Sequence, residues 1–519
     1  MPLATDGGSS PRRRLKRNSG LDSTVNAARL SRAHSLESIT PGPGKPRTTS
    51  SFNPIMQNSL NRHVVVATIL LGAAAYPGAA QSARAPDRRL DSLAGAAVLE
   101  KRAIGTVAAV VKGNDTLLLK GYGQANPEWD VPMPANAMFE IGSATKQFTA
   151  ASILQLRDAG KLSLEDDLTK WLPDFDTRGN RVTLRHLLSH TSGIVGLTEM
   201  PEFRELSRNV RFPRDSAYAL IKRYPFQYPT GTAQIYSNSG YWLLGLVVEK
   251  ASGMTYEDYV EKQLFSPLGM TRSSYCNSNE HVPRRAHGYG IPNGTIRRVP
   301  PNVHTWPFAA GSICSTAGDL VTWLKALHGG KVLSPKAYAE MITPAKLADG
   351  TSTRYAMGLY VGEDLRGRKI IGHDGAIVGF ASEVRWYPDA DMAVVLLTNS
   401  MPSIDLSAIA AGLAAQLPPT SASVSPQRAA APFLGDASAL VGRYQGPSAG
   451  RDMVIEVTQT PQGVALSVNG APARPLPWVE GWMFRRGDAL LAFHRGGKSG
   501  PATELRYDAG YGYYILKRQ

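Results

Sequence analysis

A serine and a lysine three residues apart are the side chains of this chain best spaced to do chemistry together. They stand in the run Glu140-Ile-Gly-Ser143-Ala-Thr-Lys146. If a helix opens at Ser143, its hydroxyl lies near free backbone N–H groups, and Lys146 lies one turn above it on the same face. A desolvated lysine has a lowered pKa and can take the hydroxyl proton. The alternative is a capping serine beside a solvated lysine, because roughly one Ser-x-x-Lys arises by chance in a chain of this length.

A tyrosine and an asparagine form a second candidate pair further along the chain. Tyr236 and Asn238 stand between the turn at Pro229-Thr-Gly231 and a predicted helix. A tyrosine hydroxyl near a nucleophile can relay a proton to a leaving group, and the Asn238 amide can donate to a substrate carbonyl. A core tyrosine followed by a turn asparagine is the alternative interpretation.

The third candidate is a glycine-rich run between apolar segments, Gly372-His373-Asp374-Gly375-Ala376. Glycine in such a place indicates close backbone approach, as when a strand edge lies against a ligand. His373 would add a polar or cationic group at that edge. The N–H of Ala376 would point at a developing oxyanion.

Several predicted elements would position these motifs. They are a hairpin over Thr106–Lys120, a helix over Ser143–Leu156 stopped by Gly160, a helix over Tyr241–Lys250 ended by Gly253, a further helix capped by Thr255 that stops before Pro267, and strand character over Ala381–Asn399. Each follows from hydrophobic periodicity and from helix-start, helix-stop and turn signals. Strands at both ends with helices between them predict one sheet that is built from distant segments around a mostly helical middle.

Taken together and in this order, the three motifs resemble the serine β-lactamase and penicillin-binding-protein superfamily. The likeness is to its class C β-lactamase and D-alanyl-D-alanine carboxypeptidase branch, and it covers about residues 88–415. It includes the stretches Leu184–Ile194, Tyr236–Tyr241 and Pro267–Met270. The resemblance implies an α+β fold of the β-lactamase/transpeptidase type, with an antiparallel sheet, flanking helices and a helical subdomain, followed by a small all-β C-terminal domain.

The same resemblance implies a role for each candidate residue. Ser143 would be the acylated nucleophile, Lys146 its base partner and Tyr236 the third catalytic residue. Asn238 completes the second element, and His373-Asp374-Gly375 takes the place of a Lys-Thr-Gly triplet. The oxyanion hole would be the backbone N–H groups of Ser143 and Ala376. The substrate-binding residues are then Asn238, His373, Gly375 and Ala376, with no metal and no cofactor.

The activity implied is that of a secreted serine hydrolase working through an acyl-enzyme. Its substrates would be small molecules or peptides, namely D-amino-acid peptides or small esters and amides. The alternatives are a class C-like β-lactamase and a low-turnover penicillin-binding or sensor module. Histidine and aspartate in place of lysine and threonine make carboxylate recognition less secure, and they resemble carboxypeptidases and esterase-like relatives more than antibiotic-hydrolysing enzymes.

The chain is predicted to have five parts. Residues 1–55 are a disordered basic segment, 56–80 a signal peptide, 81–415 the hydrolase domain, 416–432 a linker and 433–519 a small β-domain. The β-domain shows period-two alternation, which is typical of a sandwich or a barrel, and it resembles lipocalin-like appendages of this group.

The predicted signal peptide rests on a positive start, an apolar stretch and a small-residue end. The apolar stretch, Val64–Ala75, is too short to span a bilayer comfortably, so cleavage after Ala80 would leave no stable transmembrane span. Met56 is then the expected start. A periplasmic or secreted location follows.

Composition and charge exclude several classes of protein. With 43% hydrophobic and 19% charged residues, the chain is neither collagen-like nor wholly disordered. The net charge of +15 is split between residues 1–55 and a mildly basic body without a dense basic stripe, so we expect no nucleic-acid partner. Cys276 and Cys314 can form at most one bridge, and we expect two small buried apolar side chains. Nothing in the sequence sets the oligomeric state.

Three further motifs match known catalytic or metal-binding patterns, but their sequence context argues against each of them. Lys498-Ser-Gly500 matches a Lys-Ser/Thr-Gly pattern but lies among glycines, which predicts a loop. Gly446-Pro-Ser448-Ala-Gly450 matches a hydrolase pattern but lacks a following helix. His186 and His190 have the spacing of a zinc pair without its glutamate, which favours packing and hydrogen bonding.

Overall fold

The computed structural model describes residues 87–206, 212–224, 226–277, 280–364, 366–401, 404–417, 433–461 and 463–519. All of them belong to one compact unit, Gln81–Gln519. The predicted segments 1–55 and 56–80, and nearly all of the predicted linker, lie outside the described residues. Within the described ranges, no helix combines the length and the apolar character needed to cross a bilayer.

An antiparallel sheet forms the centre of the main body. In the described part of the chain its order is β3-β2-β1-β12-β11-β10-β9. The strands are β1 Gly105–Lys112, β2 Asp115–Asn126, β3 Val131–Pro132, β9 Tyr360–Glu363, β10 Lys369–Ile377, β11 Phe380–Tyr387 and β12 Met392–Thr398. The register joins Thr106 to Thr398 and Lys112 to Met392. The predicted hairpin and the sheet built from distant segments are therefore confirmed, and β12 is buried along its whole length, as its apolar sequence indicates.

Helices lie on both faces of this sheet and fill the middle of the chain. They are α1 Arg88–Leu99, α2 Lys146–Asp158, α3 Leu168–Trp171, α4 Leu184–Leu188, α5 Phe203–Leu206, α6 Arg214–Arg223, α7 Asn238–Ser252, α8 Tyr256–Val260, α9 Ser266–Leu268, α10 Phe308–Gly311, α11 Ala317–His328, α12 Pro335–Met341 and α13 Leu406–Ala415. The α+β class predicted from the sequence is confirmed. One large apolar core joins α2, α7 and α11 to one face of the sheet, and a smaller core under α1 and α13 covers the other.

Two helix boundaries differ from the prediction. Helix α7 begins at Asn238, three residues before the expected start, because the Ser237 hydroxyl caps it by accepting from the Gly240 N–H. The helix capped by Thr255 does not stop before Pro267. It continues through a π-helical turn, Glu261–Phe265, into α9, whose first turn accommodates the proline.

The C-terminal residues form a second, separate β-structure. In the described part of the chain it is one curled antiparallel sheet in the order β17-β16-β15-β14-β22-β21-β20-β19-β18. The strands are β14 Gly442–Pro447, β15 Asp452–Thr460, β16 Gly463–Val468, β17 Arg474–Pro475, β18 Trp478–Glu480, β19 Met483–Arg486, β20 Ala489–His494, β21 Glu504–Asp508 and β22 Tyr513–Arg518. Its inward-facing side chains, such as Tyr444 and Phe484, make a core of their own. The all-β prediction for this part is confirmed.

Two short sheets complete the main body, and one of them carries a disulfide. Their orders are β4 Phe139–Glu140, β8 Ile313–Ser315, β5 Ser274–Tyr275, and β13 Ser400–Met401, β6 Tyr289–Gly290, β7 Arg297–Arg298. Cys276 and Cys314 are buried, as expected, but they are joined in a disulfide. The expectation of two unpaired apolar side chains is wrong, because β5 and β8 are neighbours and bring the two Cα atoms to 5.1 Å.

Candidate active site

Ser143 lies on a tight helical turn, Gly142–Thr145, that leads directly into α2. Neighbouring elements hold this turn on both sides. The N–H of Ile141 donates to the Ile313 carbonyl, and the Ser382 hydroxyl donates to the Ile141 carbonyl at 2.8 Å. Gly142 has φ +53°, a left-handed conformation that favours glycine. The serine is therefore presented by a fixed backbone rather than by a mobile loop.

Lys146 is the first residue of α2 and is fully buried. Its Nζ lies 3.1 Å from Ser143 Oγ and donates to Asn238 Oδ1 and to the Ala310 carbonyl, each at 2.8 Å. Burial lowers the pKa of Lys146 well below its usual value, and the Asp374 carboxylate opposes this only in part. A neutral amine has two N–H groups, which the two carbonyl oxygens use. Its lone pair then faces the serine hydroxyl.

Asn238 is the first residue of α7 and is hydrogen-bonded to Lys146. Its Oδ1 accepts from Lys146, and its Nδ2 donates to Thr198 Oγ1 at 3.1 Å. The second N–H of this amide is the group expected to reach a substrate carbonyl. Lys146 and Asn238, which belong to two different sequence motifs, are thus in direct contact across 92 residues of chain.

The ring of Tyr236 lies against the lysine. Lys146 Nζ is 4.7 Å from its centroid. The Tyr236 hydroxyl is buried without a hydrogen bond of standard geometry to the described residues. Burial raises the pKa of Tyr236 well above its usual value, and nearby Ser143 opposes that shift. A buried hydroxyl beside the serine that makes no hydrogen bond of standard geometry is available to a ligand.

His190 supports Tyr236 from behind. The two ring centroids are 4.2 Å apart, and His190 Nδ1 accepts from the Ser237 N–H at 3.1 Å. Burial holds the pKa of His190 well below its usual value, so the ring is neutral. His186 instead bonds to Thr183 at the start of α4. The packing and hydrogen bonding expected of both histidines are observed.

Strand β10 passes directly over the serine turn and requires glycine there. A Cβ on Gly375 would lie 2.0 Å from the Ile141 carbonyl oxygen and 3.0 Å from the Ala144 nitrogen. A Cβ on Gly142 would lie 2.8 Å from the Ala376 nitrogen. The backbone of Ala376 therefore lies directly against the turn that carries Ser143, where an oxyanion-binding N–H is expected.

His373 faces the same side of β10 as Gly375 and is buried. Its Nδ1 bonds to the Asp374 carbonyl, and its Nε2 lies 3.0 Å from the Tyr355 hydroxyl. Since Nδ1 carries the hydrogen, Nε2 accepts from Tyr355. Burial lowers the pKa of His373 to about 4, so the ring is neutral at neutral pH. The sequence left open whether His373 is a neutral polar group or a cation. The structure favours the neutral, polar form.

The arrangement can carry out acyl transfer. It combines a hydroxyl, a buried amine that can accept its proton, a second hydroxyl beside it and backbone N–H groups at the edge of β10. The residues that the sequence placed in the site, Ser143, Lys146, Tyr236, Asn238, His373, Gly375 and Ala376, lie around one point. Asp374, beside them, has a half-exposed carboxylate.

Sequence reasoning missed two tyrosines of this site. Tyr355 precedes β9 in a loop without a motif, and no local signal marks it. Tyr511 belongs to the C-terminal sheet, and its ring centroid lies 4.9 Å from that of His373. The run Gly510-Tyr-Gly-Tyr-Tyr514 was a usable signal, because aromatic side chains on a glycine-flanked turn have no core of their own to fill.

Two competing motifs fall in turns of the C-terminal sheet. Lys498-Ser-Gly500 is an exposed loop between β20 and β21. Ser448 lies in the turn between β14 and β15, where its N–H bonds to the Arg451 carbonyl and no helix follows. Neither has the surroundings of a nucleophile.

Comparison with known proteins places this geometry in a family. Residues 87–417 match the family described as Beta-lactamase. Penicillin-binding protein 4* of Bacillus subtilis is 29% identical over 308 residues, which are 57% of this chain and 68% of that protein. The putative penicillin-binding protein PbpX of the same organism is 32% identical over 260 residues, 49% of this chain, and there the chain spans only 61% of the relative's length.

Solved structures extend the likeness. A D-stereospecific amidohydrolase from Streptomyces sp. has a TM-score of 0.56 and 27% identity, over 63% of this chain and 98% of that one. The crystal structure of SurE has a TM-score of 0.58 and 27% identity, over 83% of this chain and 99% of that one. The match to SurE covers a larger share of this chain than residues 87–417 do, so it includes residues outside the segment that matches the family.

Proposed function

This chain belongs to the Beta-lactamase family, and from that premise we propose that it is a serine hydrolase that works through an acyl-enzyme on Ser143. The observation that carries the proposal is the buried Lys146 amine, whose Nζ lies 3.1 Å from the Ser143 hydroxyl and 2.8 Å from both Asn238 Oδ1 and the Ala310 carbonyl oxygen. Because burial disfavours its charged form, such an amine can act as the general base that takes the serine proton.

The proposed reaction has two steps, acylation of Ser143 and hydrolysis of the acyl-enzyme, and the same catalytic groups act in both. Lys146 takes the proton of Ser143 as Oγ attacks the substrate carbonyl, and the N–H groups of Ser143 and Ala376 stabilise the resulting oxyanion. The proton passes through the Tyr236 hydroxyl to the leaving group as its bond to the carbonyl carbon breaks. Water then attacks the ester on Ser143, and the same groups return the proton to the serine.

The charges around the serine favour substrates without a carboxylate on the leaving group. The charged side chains that shift the pKa of Tyr236 and His373 are Asp374 and, for His373, also Lys146. His373 is neutral at neutral pH, and burial disfavours the charged form of Lys146, so the Asp374 carboxylate is left as the main opposing charge beside the serine. We therefore propose amides and small esters of D-amino acids as substrates, ahead of peptides with a terminal carboxylate and of β-lactams. The D-stereospecific amidohydrolase among the structural neighbours supports this class.

A set of D-alanine derivatives with one acyl group tests the substrate class. We expect D-alanine amide and D-alanine methyl ester to be hydrolysed, and kcat/KM for D-alanyl-D-alanine to be about fivefold to tenfold lower, since a like charge in this setting costs about 1 kcal/mol. L-alanine amide is the stereochemical control, and a cephalosporin tests the β-lactamase alternative.

The variant Asp374→Asn tests whether the charge of this side chain, rather than its size, determines the preference between substrates. It removes the negative charge at nearly constant size, so it should raise the rate on D-alanyl-D-alanine relative to the amide. An unchanged ratio would refute the electrostatic argument. A stable penicillin adduct without turnover of any substrate would favour the sensor alternative.

Tyr236→Phe is expected to lower kcat for D-alanine amide by about 10²- to 10⁴-fold, because the amine leaving group needs a proton. Hydrolysis of p-nitrophenyl acetate should fall much less, because its leaving group is stable as an anion. Thermal unfolding should shift little, since the hydroxyl makes no hydrogen bond of standard geometry with the described residues. Equal losses on both substrates would contradict the proton-relay role.

We also propose that the protein works outside the reducing cytoplasm. The Cys276–Cys314 disulfide supports this, because structural disulfides persist mainly in oxidising compartments. The predicted signal peptide at residues 56–80 points the same way.

A further inference from the structure

One turn of the C-terminal sheet reaches the proposed active site. We call residues 508–513, which join β21 to β22, the closing turn. It is held in shape by its own bonds, in which the Gly510 N–H donates to Asp508 Oδ1 and the Ala509 N–H donates to the Gly512 carbonyl. Gly510 has φ +79° and packs its backbone against the ring of Tyr360. The side chain at its tip is Tyr511.

The closing turn is attached to three segments that each carry a residue of the site. Gln234, two residues before Tyr236, exchanges both backbone hydrogen bonds with Tyr513, at 3.2 and 2.7 Å. Arg354, next to Tyr355, donates to the carboxylate and the carbonyl of Asp508 at 2.8 and 2.9 Å. These attachments are largely buried, since the Arg354 side chain is 19% exposed.

The third attachment is made on β10 itself. The Asp374 N–H donates to the Tyr511 hydroxyl at 3.0 Å. Strand β9 pairs with β10 only over Lys369–Gly372, so no strand formed by the described residues lies on that side of β10 beyond Gly372. Tyr511 thus occupies a backbone N–H to which an extended peptide lying along this edge would otherwise bind.

The Tyr511 ring lies beside the rings of Tyr236 and Tyr355. Its centroid lies 6.0 Å from that of Tyr236 and 5.8 Å from that of Tyr355. In the proposed reaction Tyr236 protonates the leaving atom, so the leaving group must sit against Tyr236. The substituent on that atom then meets Tyr511.

We propose that Tyr511 is a specificity-determining residue contributed by the C-terminal sheet, which disfavours a bulky leaving group relative to a small one such as ammonia or methanol. The inference rests on the proposed function and names the substrate class more narrowly. The C-terminal sheet is then part of the active-site wall, since its closing turn both fills the edge of β10 and ties the segments around the serine together.

Two esters of equal chemistry and unequal size test this limit. Methanol and benzyl alcohol have similar acidities, so D-alanine methyl ester and D-alanine benzyl ester differ mainly in the size of the leaving group. We expect kcat/KM of the unaltered enzyme to be at least about tenfold higher for the methyl ester. Tyr511→Ala should raise the benzyl-to-methyl ratio by about tenfold, whereas Tyr511→Phe, which keeps the ring, should leave the ratio near that of the unaltered enzyme.

Tyr507→Ala is the matched control, because Tyr507 lies on β21 and packs in the C-terminal sheet against Tyr514. The benzyl-to-methyl ratio of kcat/KM for Tyr507→Ala should equal that of the unaltered enzyme. Equal rates of the unaltered enzyme on both esters would overturn the inference even if Tyr511→Ala failed to fold, and so would a parallel loss on both esters in that variant. Hydrolysis of neither ester would overturn the proposed function and the inference with it.

Discussion

Ser143→Ala is expected to reduce hydrolysis of p-nitrophenyl acetate and of D-alanine amide by at least about 10³-fold, because the atom that becomes acylated is gone. What remains would be the rate supported by the oxyanion-binding N–H groups alone. A fluorophosphonate probe should add its mass to the unaltered protein and not to this variant. Peptide mapping should place the adduct on the segment that contains residue 143.

Ser448→Ala serves as the matched control for this experiment. Ser448 also sits in a motif typical of serine hydrolases, yet the structure places it in a turn between two strands of the C-terminal sheet. Its removal should leave both the rate and the adduct unchanged. Retained labelling in Ser143→Ala, or its loss in Ser448→Ala, would refute the assignment of the nucleophile.

Replacement of Lys146 has the second-largest expected effect. Lys146→Met keeps the length and the apolar stem but removes the base, so kcat should fall by about 10²- to 10⁴-fold. Lys146→Arg should be equally impaired, because a guanidinium does not give up its proton in proteins. Activity retained in either variant would show that another group takes the serine proton. Far-ultraviolet circular dichroism checks that both variants are folded.

The pH dependence of the unaltered enzyme gives an independent check of the same residue. A base works in its deprotonated form, so kcat/KM should rise with pH through the pKa of Lys146 and stay level above it. Because burial lowers this pKa well below 10.5, the enzyme should already be fully active far below pH 10.5. An acidic limb that reaches half-height near pH 10.5 would mean that the amine is solvated, contrary to its contacts.

The sign of the Asp374 effect can be read in the same profile. The Asp374 carboxylate raises the pKa of Lys146 against the larger effect of burial. Asp374→Asn should therefore move the acidic limb to lower pH. The substrate series and the pH profile thus test one charge by two separate measurements.

Local sequence was sufficient for the elements that carry the chemistry. The hairpin of β1 and β2, helix α2 and the strands of the C-terminal sheet follow from turn residues, helix formers and alternation, which are properties of neighbouring residues. The boundaries at Asn238 and Pro267 were wrong, because a serine cap and a π-helical turn shifted them by a few residues.

The sequence by itself determined which side chains could act and in what order they occur. The Ser143–Lys146 spacing within one helical turn, the Tyr236–Asn238 pair and the glycine of β10 were all readable there. Tertiary structure decided the direction in which their pKa values shift, because the pKa of Lys146 and of His373 depends on burial by segments far away in sequence. It also decided the pairing of Cys276 with Cys314 and the entry of Tyr511 into the site. Such contacts depend on how distant strands and turns pack together, which no local pattern in the chain encodes.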